Sequence, residues 1–117
     1  MNEHKDPLII IEKYDKFVKY IYPLAVNISR KHHVLRDEFL KIVFAQYGLF
    51  TDAAKSNQIS KLYAADAGLA HIRVLLRFLS HQDWKQISKR QYEVSGLILA
   101  EAGSILGKMI VNKKVGN

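Results

Sequence analysis

Residues 62–79, LYAADAGLAHIRVLLRFL, decide the fold. Leu62, Ala65, Leu69, Ile72, Leu76 and Leu79 recur at alternating steps of three and four, which lines up one face of an α-helix as a heptad-like seam. On a wheel turned about 100° per residue, Ala64, Ala67, His71, Leu75 and Phe78 gather on roughly the opposite side. A helix that is apolar on most sides is buried on most sides. Since a bundle helix ordinarily keeps one face in water, the second apolar face predicts a subunit interface and a homo-oligomer. The competing reading is a central helix covered by its own chain. Asp66, Arg73 and Arg77 share a narrow stripe of the same helix. The two arginines are neighbours four apart, like charges that repel unless an anion joins them. One reading pairs them with Asp66 or with acids on other helices. The other gives them a phosphate or carboxylate, which a guanidinium fork takes bidentately.

Working outward, three more helices are predicted. Asp6-Pro7 reads as an N-cap and first-turn proline, followed by Ile10, Tyr14, Phe17, Ile21, Leu24 and Ile28 at helical spacing. Pro23 lies within that pattern and is expected to bend the helix without ending it. The first connection is placed at Arg30-Lys31-His32-His33, and a second helix from about Leu35 to Ala54, with Phe39, Ile42, Gln46, Leu49 and Ala53 inward. Gln46 needs a partner there. Ser56-Asn57 makes the next break and offers N-caps. The loop from His81 to Ile87 is the longest, and Ser88 with Gln91 reads as a capping box opening the fourth helix. That helix passes through Val94, Ile98, Ile105 and Met109 into a basic tail, Lys113-Lys114. The expectation is an all-α, up-down-up-down antiparallel four-helix bundle, a single domain over 1–117 with frayed ends at about 1–6 and 112–117.

Composition narrows the function. Eighteen Lys and Arg against eleven Asp and Glu give +7, which favours polyanionic partners. The absence of cysteine removes disulfides, thiolate metal sites and a cysteine nucleophile. No signal peptide and no apolar run of about 18 residues is read, so a soluble, cytoplasmic protein without a membrane partner is expected. In the bundle, the first and third connections share one end. Arg30, Lys31, Arg36, Lys85, Lys89 and Arg90 gather there with Asp37, Glu38 and Asp83, while Lys55, Lys61, Lys108, Lys113 and Lys114 lie at the other. Two basic ends suit a nucleic-acid backbone, although lysines near helix C-termini also suit the helix dipole.

Catalysis is not indicated. No two of the histidines are four apart, no Glu-x-x-His pairs occur, and Ser29, Ser60 and Ser104 lack a histidine–acid partnership. No metal or cofactor is expected. Asp66 and Glu101 are read as buried ion-pair partners, and Gly103 and Gly107 as points of close helix packing.

The run from Ala54 to Ala70, AKSNQISKLYAADAGLA, followed by Arg73 and Leu76-Arg77-Phe78-Leu79, closely resembles the accessory variability determinant (Avd) family of diversity-generating retroelements. Tyr22-Pro23, Arg30-Lys31-His32, Phe39-Leu40, Glu101-Ala102-Gly103 and Ile105-Leu106-Gly107 agree with it, whereas Met109 and Ser104 depart from it. The resemblance implies a bacterial or phage-encoded, non-catalytic four-helix bundle assembling into a barrel-shaped homopentamer. It also implies binding to a reverse transcriptase and to RNA or DNA in support of mutagenic cDNA synthesis. Arg73, Arg77, Arg30, Lys31, Arg36, Lys55 and Lys61 are the residues assigned to nucleic acid or polymerase. Leu62, Leu69, Leu75 and Phe78 are assigned to contacts between subunits. The rival reading is a basic protein–protein scaffold of the ribosomal RNA intervening-sequence type. A membrane-surface binder fits less well, because no helix pairs a strongly basic face with a free bulky apolar one.

Overall fold

The seam of residues 62–79 lies within α3 (Ile59–Leu79), and all six of its members are buried. The computed structural model describes residues 2–56 and 58–116. It surrounds α3 with α1 (Asn2–Val26), α2 (His33–Lys55) and α4 (Lys89–Gly116), and a 3₁₀ turn at Arg30–His32 leads into α2. The helices pack in chain order, α1 on α2 and α4, and α3 on α2 and α4, giving a bundle of 48 × 23 × 19 Å. α1 and α3 lie on a diagonal and do not meet. Among the described residues nothing therefore covers the outer side of α3, and the reading of it as a central, self-covered helix fails.

Aromatic side chains fill the middle of the bundle. Tyr14, Phe17, Phe39 and Phe50 are all buried, and Tyr14 stacks on Phe17 at 5.6 Å and meets Phe50 edge-on at 5.2 Å. The Tyr14 hydroxyl donates to the Val43 carbonyl at 2.5 Å, and Tyr47 donates to Asp15 Oδ1 at 2.5 Å. Burial raises the pKa of both phenols, helped at Tyr47 by its bond to the Asp15 carboxylate, so both hydroxyls stay protonated donors. Gln46, the polar member of the inner row of α2, is 1% exposed and donates from Nε2 to the Ala65 carbonyl at 2.8 Å. Gly68 of α3 leaves room for that amide: a methyl placed there would overlap Gln46 Oε1 and come within 2.7 Å of Leu49 Cδ1.

The connections behave largely as their residues dictate. Ser88 and Gln91 close the expected capping box, with the Ser88 amide donating to Gln91 Oε1 at 2.8 Å and the Gln91 amide to Ser88 Oγ at 3.0 Å. The Ser29 amide donates to Gln86 Oε1 at 2.9 Å, which fastens the first connection to the third at one end of the bundle. Trp84 pins the longer loop by donating from Nε1 to the Phe78 carbonyl at 2.6 Å, with its ring 4.7 Å from that of Phe78. At the second connection, Gln58 takes the N-cap position without a side-chain bond, and Ser56 Oγ accepts from its amide at 3.2 Å. Asn57 lies outside the described residues.

Several boundaries and faces differ from expectation. α1 begins at Asn2, upstream of Asp6-Pro7, because a proline so near a helix start removes only one backbone bond. Helical backbone runs into both end segments expected to fray, while Met1 and Asn117 lie outside the described residues. α1 continues past Pro23 only to Val26, where bonds from the Asn27 and Ile28 amides to Leu24 and Ala25 tighten its end. α2 starts at His33, not Leu35. In α4 the buried row is Ser95, Leu99, Ala102 and Leu106, one position beyond the expected row, whose members are half-buried. Apolar residues lie nearly all round this helix, so its periodicity is ambiguous, and small residues define the packed side. Ser95 satisfies its hydroxyl on the Tyr92 carbonyl at 3.0 Å.

One exclusion drawn from the sequence does not hold. Within Lys89–Val115 an 18-residue stretch reaches a mean hydropathy of 1.6, so α4 is long and apolar enough to cross a bilayer by length and composition. Its inner row packs against α1 and α3, but only 22% of that stretch is buried inside the bundle.

Candidate nucleic-acid and partner interface

Arg73 and Arg77 project from the flank of α3 that faces α4. Both are exposed, and among the described residues neither forms an ion pair. The Arg73 guanidinium lies across Gly103 of α4, where a β-carbon would sit 2.7 Å from Nη2. Asp66 is exposed and does not reach either arginine, and Glu101 is a surface partner of Lys13 at 3.2 Å. Neither acid is the buried ion-pair partner that was expected. With no carboxylate between them, the two arginines keep their full charge and their hydrogen-bond donors for something outside the chain.

Arg77 belongs to the last turn of α3 and so points toward the end where the first and third connections are fastened together. Arg30 and Lys31 are exposed at that end, as are Lys85, Lys89 and Arg90. Lys85 holds a positive φ of 44°, which turns the backbone sharply just before Ile87 enters the core. Arg36 is different: its Nε bonds to Asp37 Oδ1 at 2.9 Å, so part of its charge is answered within the chain. Lys55 ends α2 and Lys61 opens α3, which puts them at the opposite end. There Lys114 Nζ stands 5.7 Å from the centre of the Tyr63 ring. The seven residues assigned to binding therefore form two groups along the long axis, not one patch.

The expected subunit contacts divide as well. Leu62 at 6% exposed and Leu69 at 0% are taken up by the bundle core and cannot contact another chain, because both belong to the inner seam. Leu75 is half-buried and Phe78 is 46% exposed, on the outer side. Tyr63, Ala67, Ala70 and Val74 continue that outer stripe, all exposed. Ala67 and Phe78 were legible on the wheel; Tyr63, Ala70 and Val74 fall beside them at the same 3-4 spacing and were the missed signal. Between α3 and α4 runs an open groove of about 470 Å³, lined by Arg73, Leu76, Tyr92, Glu93, Gly96 and Leu97. Another apolar spot was not foreseen: Tyr22 of α1 and Phe44 of α2 meet edge-on at 5.9 Å, both nearly half exposed.

Among the described residues no group of three His, Cys, Asp or Glu could hold a metal ion. What the surface offers is unpaired guanidinium and ammonium groups beside uncovered apolar walls, the equipment of a binding module. Residues 8–113 match the family model described as bAvd-like, and the chain belongs to that family. No curated protein matches it.

Proposed function

We propose that this protein is a non-catalytic accessory factor of a diversity-generating retroelement. In this reading it binds the element's reverse transcriptase and the backbone of template RNA or cDNA, and so supports mutagenic cDNA synthesis. It works as a homo-oligomer, with five subunits as the family resemblance implies. The observation that carries the reading is the bAvd-like match over residues 8–113, nearly the whole chain. The surface chemistry supports it. A net charge of +7 on each subunit draws in a polyanion, and exposed Arg73 and Arg77 without carboxylate partners suit phosphate oxygens. An oligomer multiplies that field and would cover the outer stripe of α3.

The test is reverse transcription of the template RNA by the partner enzyme, with and without the protein. Long cDNA carrying errors at adenine positions is expected only when the protein is present. An unchanged yield and error pattern would remove the accessory role.

A further inference from the structure

Phe78, His81 and Trp84 cluster where α3 gives way to the loop leading to α4. The indole lies 4.7 Å from the Phe78 ring at 31° and 5.2 Å from the His81 ring at 34°. Phe78 is 46% exposed and the His81 side chain 49%, so the cluster opens to the surface. Closing the loop does not require three rings there. The Trp84 and Lys85 amides donate to the His81 carbonyl, and the Gln86 and Ile87 amides to that of Leu79. Ile87 then anchors the loop in the core at 2% exposed. The bond from Trp84 Nε1 to the Phe78 carbonyl fixes the tilt of the indole. Rings already held in place give up little freedom when a flat group lies on them. Phe78 ends the outer stripe of α3, which an oligomer would cover, so the rings left for a ligand are those of the loop.

The cluster is tied to the basic first connection through Gln86. Its Nε2 donates to the Trp84 carbonyl at 2.5 Å, and its Oε1 accepts from the Ser29 amide at 2.9 Å. Arg30 and Lys31 follow Ser29 directly, and Lys85 follows Trp84. All three cations are exposed, and none forms an ion pair among the described residues. The acid of the loop, Asp83, is turned to His81: its amide donates to Nδ1 at 3.2 Å, and its Oδ2 lies 3.5 Å from the same atom.

Rings open to solvent beside unanswered cations suit one ligand chemistry, a flat base joined to phosphates. Stacking accepts a base of any identity, because every base has a π-face. It needs that face uncovered, which an unpaired base offers and a duplex does not. Cations without rings would draw single and double strands alike.

We propose that the His81–Trp84 loop is a base-stacking site for an unpaired base of a single-stranded nucleic acid, with Arg30, Lys31 and Lys85 on the adjoining phosphates. This rests on nucleic-acid binding in the proposed function and adds where a single strand is told from a duplex. Trp84 is the one tryptophan of the chain, so its fluorescence reports this site alone. A short single strand, as RNA and as DNA, is expected to quench it on binding. Inorganic polyphosphate, which carries the charge without a base, is expected to leave it unchanged. Quenching by either strand supports the site, and which one quenches tells template RNA from cDNA. Trp84→Ala is expected to weaken single-strand binding roughly tenfold, with the salt slope and the affinity for a duplex of the same sequence unchanged. Trp84→Phe keeps a ring but loses the Nε1 bond, and is expected to recover most of that affinity. Should Trp84→Ala not fold, the parent's fluorescence and Trp84→Phe carry the test. Equal losses in both variants, or an equal loss for the duplex, would make Trp84 only a pin for the loop and overturn the site. A strand bound by anisotropy that leaves the parent's fluorescence unchanged would overturn it too, with nucleic-acid binding intact. No binding of any strand would remove both.

Discussion

Affinity for single-stranded RNA is expected to fall by roughly three hundredfold or more between about 50 and 200 mM salt, as it does when a protein neutralises six or more phosphates of a single strand. The expectation follows from how the positive charge is held. Arg73, Arg77, Arg30 and Lys31 are exposed without ion-pair partners among the described residues, so their binding energy comes from displaced counterions. Changing Arg73 and Arg77 together to Ala is expected to lower the log–log salt slope by about 1.4, roughly 0.7 for each single-strand phosphate no longer neutralised. Circular dichroism should remain helical, because neither guanidinium holds an acid or lies in the core. Filter binding across a salt series reads the slope. A slope unchanged from the parent would place the arginines away from the backbone. Loss of the oligomer instead would make the pair structural, with Arg73 bracing α3 against α4 at Gly103.

Gly68→Ala is expected to destabilise the fold by about 2 kcal/mol, although alanine is the better helix former by about 1 kcal/mol. The new methyl would take the space of Gln46 Oε1. Gln46 would then leave the Ala65 carbonyl, and a buried amide without its partner carries its full desolvation cost. Gly48→Ala is the control, since its β-carbon meets nothing in the chain, and it is expected to gain up to about 1 kcal/mol in the isolated subunit. Urea unfolding of both variants decides the matter. Equal gains at the two positions would mean that Gln46 moves aside without cost.

These two cases also mark what could be read from the sequence. The polar Gln46 in an apolar row signalled that it needed a partner, but not that the partner is a backbone carbonyl of the neighbouring helix. The seam of α3 was fully legible because its large residues repeat without interruption. The inner row of α4 was not, because Ser95 and Ala102 hold core positions while larger Ile98 and Ile105 sit to the side. Periodicity weighs residues by hydrophobicity, whereas close packing of two helices selects small ones.

The candidate site shows the same division. The sharing of one end by Arg30, Lys31, Lys85, Lys89 and Arg90 followed from topology. The pairing of Arg36 with Asp37 did not, since neighbouring opposite charges in a sequence meet only when their rotamers allow it. Leu62 and Leu69 were assigned to both core and interface, and burial settles them in the core. Two-sided apolarity signalled an uncovered wall; which leucines formed it required the packed bundle.

In the proposed function the chain is an oligomeric partner of a reverse transcriptase. Co-purification with the enzyme encoded beside it, with light scattering on the free protein, tests that most directly. The predicted result is a stable complex and a free protein with the mass of five subunits. A monomer that does not retain the enzyme would contradict it.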